Sequence, residues 1–125
     1  MRDWAVTLLR VVAGLLFMQH GMQKLFGWFG GKPLDTLASQ FGVAGVLELV
    51  GGLLVMLGLF TRPVAFVLAG EMAVAYFMMH VPNAFWPIQN RGEPAVLFCF
   101  IFLFFAAWGA GPISLDAFRA RARPT

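Results

Sequence analysis

Residues 41–80 read FGVAGVLELVGGLLVMLGLFTRPVAFVLAGEMAVAYFMMH, two apolar runs, Phe41 to Phe60 and Pro63 to His80, joined across Thr61 and Arg62. A helix rises about 1.5 Å per residue and the hydrocarbon core of a bilayer is about 30 Å thick, so each run is of spanning length. Gly58-Leu-Phe-Thr-Arg-Pro63 supplies the break, with a charge at the interface and a proline suited to the first turn of a new helix. The stretch therefore predicts a transmembrane helical hairpin. Glu48 and Glu71 stand inside it, where a charge costs from roughly 2.5 kcal/mol upward unless it is paired or hydrated.

Outward from the hairpin, Trp4 to Phe26 and Pro94 to Ala110 are two further apolar runs. An open sheet cannot span lipid, and the chain is too short and too continuously apolar for a barrel. The expected fold is all-α, an integral membrane four-helix bundle forming one unit over residues 1–125, with helices at about 4–26, 41–60, 63–80 and 94–110. Composition agrees: 60% of the 125 residues are hydrophobic and 12% charged, against about a quarter charged in soluble domains, and mean hydropathy is +0.79. Met1-Arg2-Asp3 and the apolar residues after it are read as the start of the first span, because Arg10 interrupts the run and no small-residue cleavage site follows. Cys99 has no second cysteine, which excludes an intramolecular disulfide, a CxxC pair and a cysteine-based zinc or iron-sulfur site.

With four spans, both termini and the Thr61-Arg62 turn share one side, which collects Arg2, Arg62, Arg119, Arg121 and Arg123. Lys24, Lys32 and Arg91 lie near the opposite loops. The positive-inside bias puts both termini in the cytoplasm. This charge asymmetry concerns orientation and does not suggest nucleic acid. The two outward connections are longer: Gly27 to Pro33 leads into Leu34 to Gln40, whose helical spacing suits a segment in the membrane surface. Trp28 with Phe29, and Phe85 with Trp86, suit an aromatic belt and a lid. Phe17-Met-Gln-His20 and Phe77-Met-Met-His80 echo one another, as a duplicated hairpin or as chance.

On the first helix Arg10, Ala13, Gly14, Phe17, His20, Gly21 and Lys24 recur at steps of three and four, so the basic residues share one stripe facing the interior. Glu48 has Ala44, Gly45, Gly51 and Gly52 as helical neighbours, which turns it inward. Depth along the spans predicts an ion-paired cluster of Arg10 with Glu71, Glu48 or both, a candidate proton relay. His20, Lys24, His80, Asn90, Glu93, Trp28 and Trp86 are the ligand-binding candidates toward the outer mouth. Each has an architectural alternative: a pair that fixes register, a snorkelling Lys24, a Glu93 that complements a helix dipole. No metal site is expected, and a bis-histidine haem between His20 and His80 has no further signature behind it.

Leu9-Arg-Val-Val-Ala-Gly14, His20-Gly-Met-Gln-Lys-Leu-Phe26, Glu48-Leu-Val-Gly-Gly52, Gly58 to Pro63, Glu71-Met-Ala-Val-Ala75, Asn90-Arg-Gly-Glu93 and Gly111-Pro-Ile-Ser-Leu-Asp116 together resemble the DoxX family of small four-helix bacterial membrane proteins. The resemblance covers nearly the whole chain. It implies the four-helix fold and, through members associated with thiosulfate:quinone oxidoreduction and with catechol, quinone or oxidative-stress responses, a role in membrane redox chemistry. Arg10, His20, Lys24, Glu48, Glu71, Asn90 and Glu93 fit the family pattern.

The function expected first is a membrane component of a redox system that binds a quinone or similar small aromatic near the outer face, as a subunit of a quinone-linked oxidoreductase. No nicotinamide or flavin fingerprint is present, so electrons come from a partner or a bound cofactor. The alternatives are a non-catalytic membrane subunit or assembly factor, and a small-solute transporter. Expected partners are the lipid membrane and a membrane or peripheral oxidoreductase. Ala65, Ala69 and Ala73 form a stripe that seats another helix, either internal or from a second copy in a homo-oligomer.

Overall fold

The computed structural model describes residues 2–32 and 34–122; Met1, Pro33 and Arg123 of the segments named above lie outside the described residues. The chain forms helices α1 (Arg2–Phe26), α2 (Gln40–Leu57) and α3 (Thr61–Ala75), with α3 continued by one π-helical turn, Tyr76–His80. A short α4 (Pro87–Asn90) precedes α5 (Glu93–Trp108) and α6 (Leu115–Ala122). No strand occurs among the described residues. Three helices, Arg2–Phe26, Gln40–Leu57 and Thr61–His80, are long and apolar enough to cross a membrane, and Glu93–Trp108 is a shorter apolar helix. At about 1.5 Å per residue, its 16 residues cover about 24 Å.

Local chemistry sets the ends. Ser39 caps α2 by accepting the Gly42 amide at 3.0 Å, and its own amide and hydroxyl both donate to the Thr36 carbonyl. These bonds hold a turn ahead of α2, so Leu34 to Gln40 is not the surface helix that its spacing suggested. Gly58 stops α2 at φ 70°, where the amides of Gly58 and Leu59 close on Val55 and Leu54. Pro94 stands in the first turn of α5. At the π turn, the Val81 amide reaches the Tyr76 carbonyl at 3.0 Å, five residues back, and this shift aims Tyr76 and His80 at the 81–92 loop.

α1 packs on α2 and α3 on α5, with α2 against α3 joining the two pairs. Backbone touches backbone in the first pair: a Cβ on Gly21 would sit 2.4 Å from the Leu49 amide nitrogen, and one on Gly14 would sit 2.7 Å from the Gly52 carbonyl. The second pair is built around aromatics on small residues. Phe102 and Phe105 are fully buried, as are Ala65 and Ala69, in one cluster with Phe17. The alanine stripe is thus covered by α5 of the same chain. Phe17 meets Phe102 edge-on at 4.8 Å.

Large apolar side chains face outward while two charged ones are buried. Phe66 and Phe100 are 67% and 65% exposed, whereas Arg10 and Glu48 are 2% and 1% exposed. That inversion suits a molecule whose surroundings are lipid. The paired FMxH motifs are not equivalent: Phe17 lies in the core and Phe77 is 63% exposed.

Candidate functional site

Two polar groups occupy opposite halves of the bundle. The first lies at the end carrying both termini and is organised by Arg10. Its guanidinium donates to the carbonyls of Ala110 at 2.5 Å, Ile113 at 3.0 Å and Met56 at 3.4 Å. Arg10 therefore ties the carboxyl end of α2 to the connection between α5 and α6 and does not pair with Glu48 or Glu71, correcting the predicted cluster. The last carbonyls of a helix have no partner within it, and a guanidinium in a dry interior satisfies several at once. Arg62 does the same at the surface, donating to Ala107 at 2.6 Å and Trp108 at 3.3 Å. Asp116 complements the opposite pole: its two carboxylate oxygens accept the amides of Phe60 and Thr61 at 2.8 and 2.9 Å, at the start of α3.

The second group is built from α1, α2 and α3. Lys24 Nζ lies 2.7 Å from Glu48 Oε1, with side chains 21% and 2% exposed. The pair follows from the glycines between the helices, since the position a Cβ on Gly45 would take is 3.1 Å from Lys24 Cβ. A larger residue there would lift the lysine stem off α2. The Glu71 carboxyl, on α3, faces that of Glu48 and is within electrostatic reach of Lys24. Its buried Oε1 has no hydrogen-bond partner. One ammonium thus stands beside two carboxyl groups, bonded to Glu48 and within electrostatic reach of Glu71. His20 is exposed, within electrostatic reach of Lys24 and Glu48, with its ring edge-on to Phe98 at 6.0 Å.

The remaining candidates separate from this group. Asn90 is buried, and its amide donates to Ala84, Phe85 and the Tyr76 hydroxyl while its oxygen accepts the Gly92 amide. All its polar capacity holds the 81–92 loop, so Asn90 is an organiser of that loop. His80 Nδ1 is 3.0 Å from the Asn90 carbonyl, and its ring stacks on Tyr76 at 6.1 Å. Glu93 is exposed in the first turn of α5. Trp28 and Trp86 are 55% and 63% exposed; Trp28 contacts Phe26 and Phe29, and Trp86 contacts Phe85. Among the described residues, no ring contact joins the two loops. Asp116 and Tyr76 were not among the sequence candidates. Ser114 and Asp116 opening a segment that ends in Arg119 and Arg121 is the start and stop signature of a helix.

The family model for DoxX matches residues 5–81, more than half of the chain and all of the Lys24, Glu48 and Glu71 group. The chain belongs to the DoxX family. A Haemophilus influenzae protein bearing only the name "Uncharacterized protein" is 41% identical, the match covering 92% of this chain and 90% of that one. Bacillus subtilis "Putative oxidoreductase CatD" is 30% identical over 89% of this chain and 84% of its own. Escherichia coli "Inner membrane protein YphA" is 30% identical over 86% and 84%. No solved structure matches. The DoxX match ends at Val81, so Asn90 and the α5–α6 end, with Ala110, Ile113 and Asp116, lie beyond it.

Proposed function

We propose that this DoxX protein is a membrane component of a redox system and binds a quinone or similar small aromatic beside Lys24, in the half of the bundle away from the termini. The observation behind the proposal is the grouping of Lys24, Glu48 and Glu71, which puts one ammonium beside two facing carboxyls inside the bundle. Reducing a quinone to a quinol takes two electrons and two protons. Lys24 and the exposed His20 are donors for a quinone carbonyl, and the two carboxyls with one ammonium take up and release a proton without bulk water. Electrons come from a partner subunit or carrier, because the chain carries no nicotinamide or flavin fingerprint. The oxidoreductase in the name of the Bacillus subtilis relative supports this class of chemistry.

The test is a titration of the purified chain with a short-chain quinone, read by quenching of tryptophan fluorescence. Saturable binding that His20→Ala and Lys24→Met weaken is the expected result. Binding that never saturates, and is the same in the variants, sinks the reading. We also place the termini in the cytoplasm, on the strength of the arginines gathered there, and in a bacterial inner membrane, as the Escherichia coli relative's name has it. A carboxy-terminal reporter active only in the periplasm would reverse that orientation.

The alternative, a non-catalytic subunit, draws on Arg10, Arg62 and Asp116, each of which bonds the main chain at a helix end or in a connection between helices. If it holds, neutralising Lys24 together with Glu48 alters yield and leaves the turnover of the partner complex unchanged.

A further inference from the structure

The terminal end of the bundle holds cationic side chains without carboxylate partners. Among the described residues the one ion pair is Lys24 with Glu48, at the other end. A groove of about 420 Å³ lies between α3, α5 and α6, lined in part by Phe60, Arg62, Trp108, Gly109, Asp116 and Ala117. Asp116 is the carboxylate in that lining, and both its oxygens are engaged by backbone amides. Arg62 donates to two carbonyls, which leaves about three of the five donors of a guanidinium free. Arg119 sits over the Phe60 ring at 4.7 Å, on the same margin.

α6 adds a second, independent observation. At about 100° per residue, Leu115, Phe118 and Ala122 fall on one stripe, which is exposed, Phe118 to 62%. Arg119 flanks the stripe on one side and Arg121 on the other, while Asp116 and Ala117 lie on the face turned to the bundle. Apolar side chains outward with arginines at both margins is the pattern of a helix lying in a membrane interface. Trp108, 56% exposed at the end of α5, marks the same level.

We propose that α6, Phe60 and Arg62 form a docking surface for anionic phospholipid, with acyl chains along Phe118 and Leu115 and phosphates held at its two margins, by Arg62 with Arg119 on one and by Arg121 on the other. Charge complementarity selects the occupant. Guanidinium groups take phosphate oxygens bidentately, and a zwitterionic headgroup would place its own cation beside an arginine at either margin. The site is separate from the Lys24 group and does not depend on the proposed redox role.

Native mass spectrometry of the full chain in detergent, titrated with phosphatidylglycerol or phosphatidylcholine of matched acyl chains, tests the proposal. The wild type is expected to retain phosphatidylglycerol at least tenfold more tightly. Arg121→Gln alone is expected to weaken it about fivefold, and Arg119→Gln with Arg121→Gln by roughly tenfold or more, with phosphatidylcholine retention unchanged. Arg121 makes only a 3.5 Å contact with the Pro112 carbonyl, so its loss leaves the fold intact. Equal retention of the two lipids by the wild type overturns the proposal. So does an equal loss from Arg2→Gln, an exposed arginine on α1 at the same end. Glycerol phosphate displacing the lipid at equal concentration would show a phosphate site with no use for a membrane, and would overturn it too.

Discussion

The two halves of this bundle use charge in different ways. At the terminal end, Arg10, Arg62 and Asp116 engage backbone carbonyls and amides at helix ends and in the connections between helices. In the other half, Lys24, Glu48 and Glu71 engage one another, side chain with side chain. Groups of the first kind bind main-chain atoms and so hold helices and their connections in place. Groups of the second kind can exchange a proton or accept a ligand's hydrogen bond without the fold coming apart. Burial alone does not separate the two classes, since Arg10 and Glu48 are 2% and 1% exposed. What each touches does.

The comparison is most exposed at Arg10. Arg10→Met should cost about 3–5 kcal/mol, because three carbonyls lose a charged donor; unfolding in mixed detergent that is unchanged from wild type would mean these ends need no partner. Gly21→Ala should cost about 1–3 kcal/mol by forcing α1 from α2, where its Cβ meets the Leu49 amide, and quinone binding should fall with it. Lys24→Met should cost about 1–2 kcal/mol, since its ammonium is partly exposed and the stranded Glu48 is not. Most of that should return in the double variant with Glu48→Leu, as read by a double-mutant cycle. Asp116→Asn should cost about 1 kcal/mol, as it keeps one acceptor at the head of α3 and removes the charge. Glu71→Gln sits last on stability, with a change of about 0.5–1 kcal/mol, since the amide keeps a polar group of like size facing Glu48. Its expected signature is an altered pH dependence of quinone binding, and a large loss of stability there would move Glu71 into the architectural class.

The apolar runs and their breaks, Gly58 to Pro63 and Gly109 to Pro112, placed the main helices to within a few residues, because hydropathy and turn chemistry are written in side chains. The small neighbours of Glu48 likewise gave its inward direction. The partner of Arg10 was not legible in the same way. Depth arithmetic compares side chains with side chains, whereas Arg10 is bound to carbonyls, which every residue carries and no letter marks. His20 lies at the edge of the basic stripe, and a helical period cannot decide whether an edge residue turns in or out; it is exposed. Leu34 to Gln40 has helical spacing over too few residues to outweigh the Ser39 turn and cap.

The acceptors of Arg10 lie 46, 100 and 103 residues further along the chain. At about 5–20 residues per second, synthesis of that intervening length takes roughly 5–20 s, during which the first helix has been made and the groups that satisfy its guanidinium have not. Translation order therefore sets a waiting period in which a translocon, a lipid phosphate or a chaperone must stand in for Ala110. A nascent chain halted before Ala110 keeps the Arg10 guanidinium without two of its three acceptors.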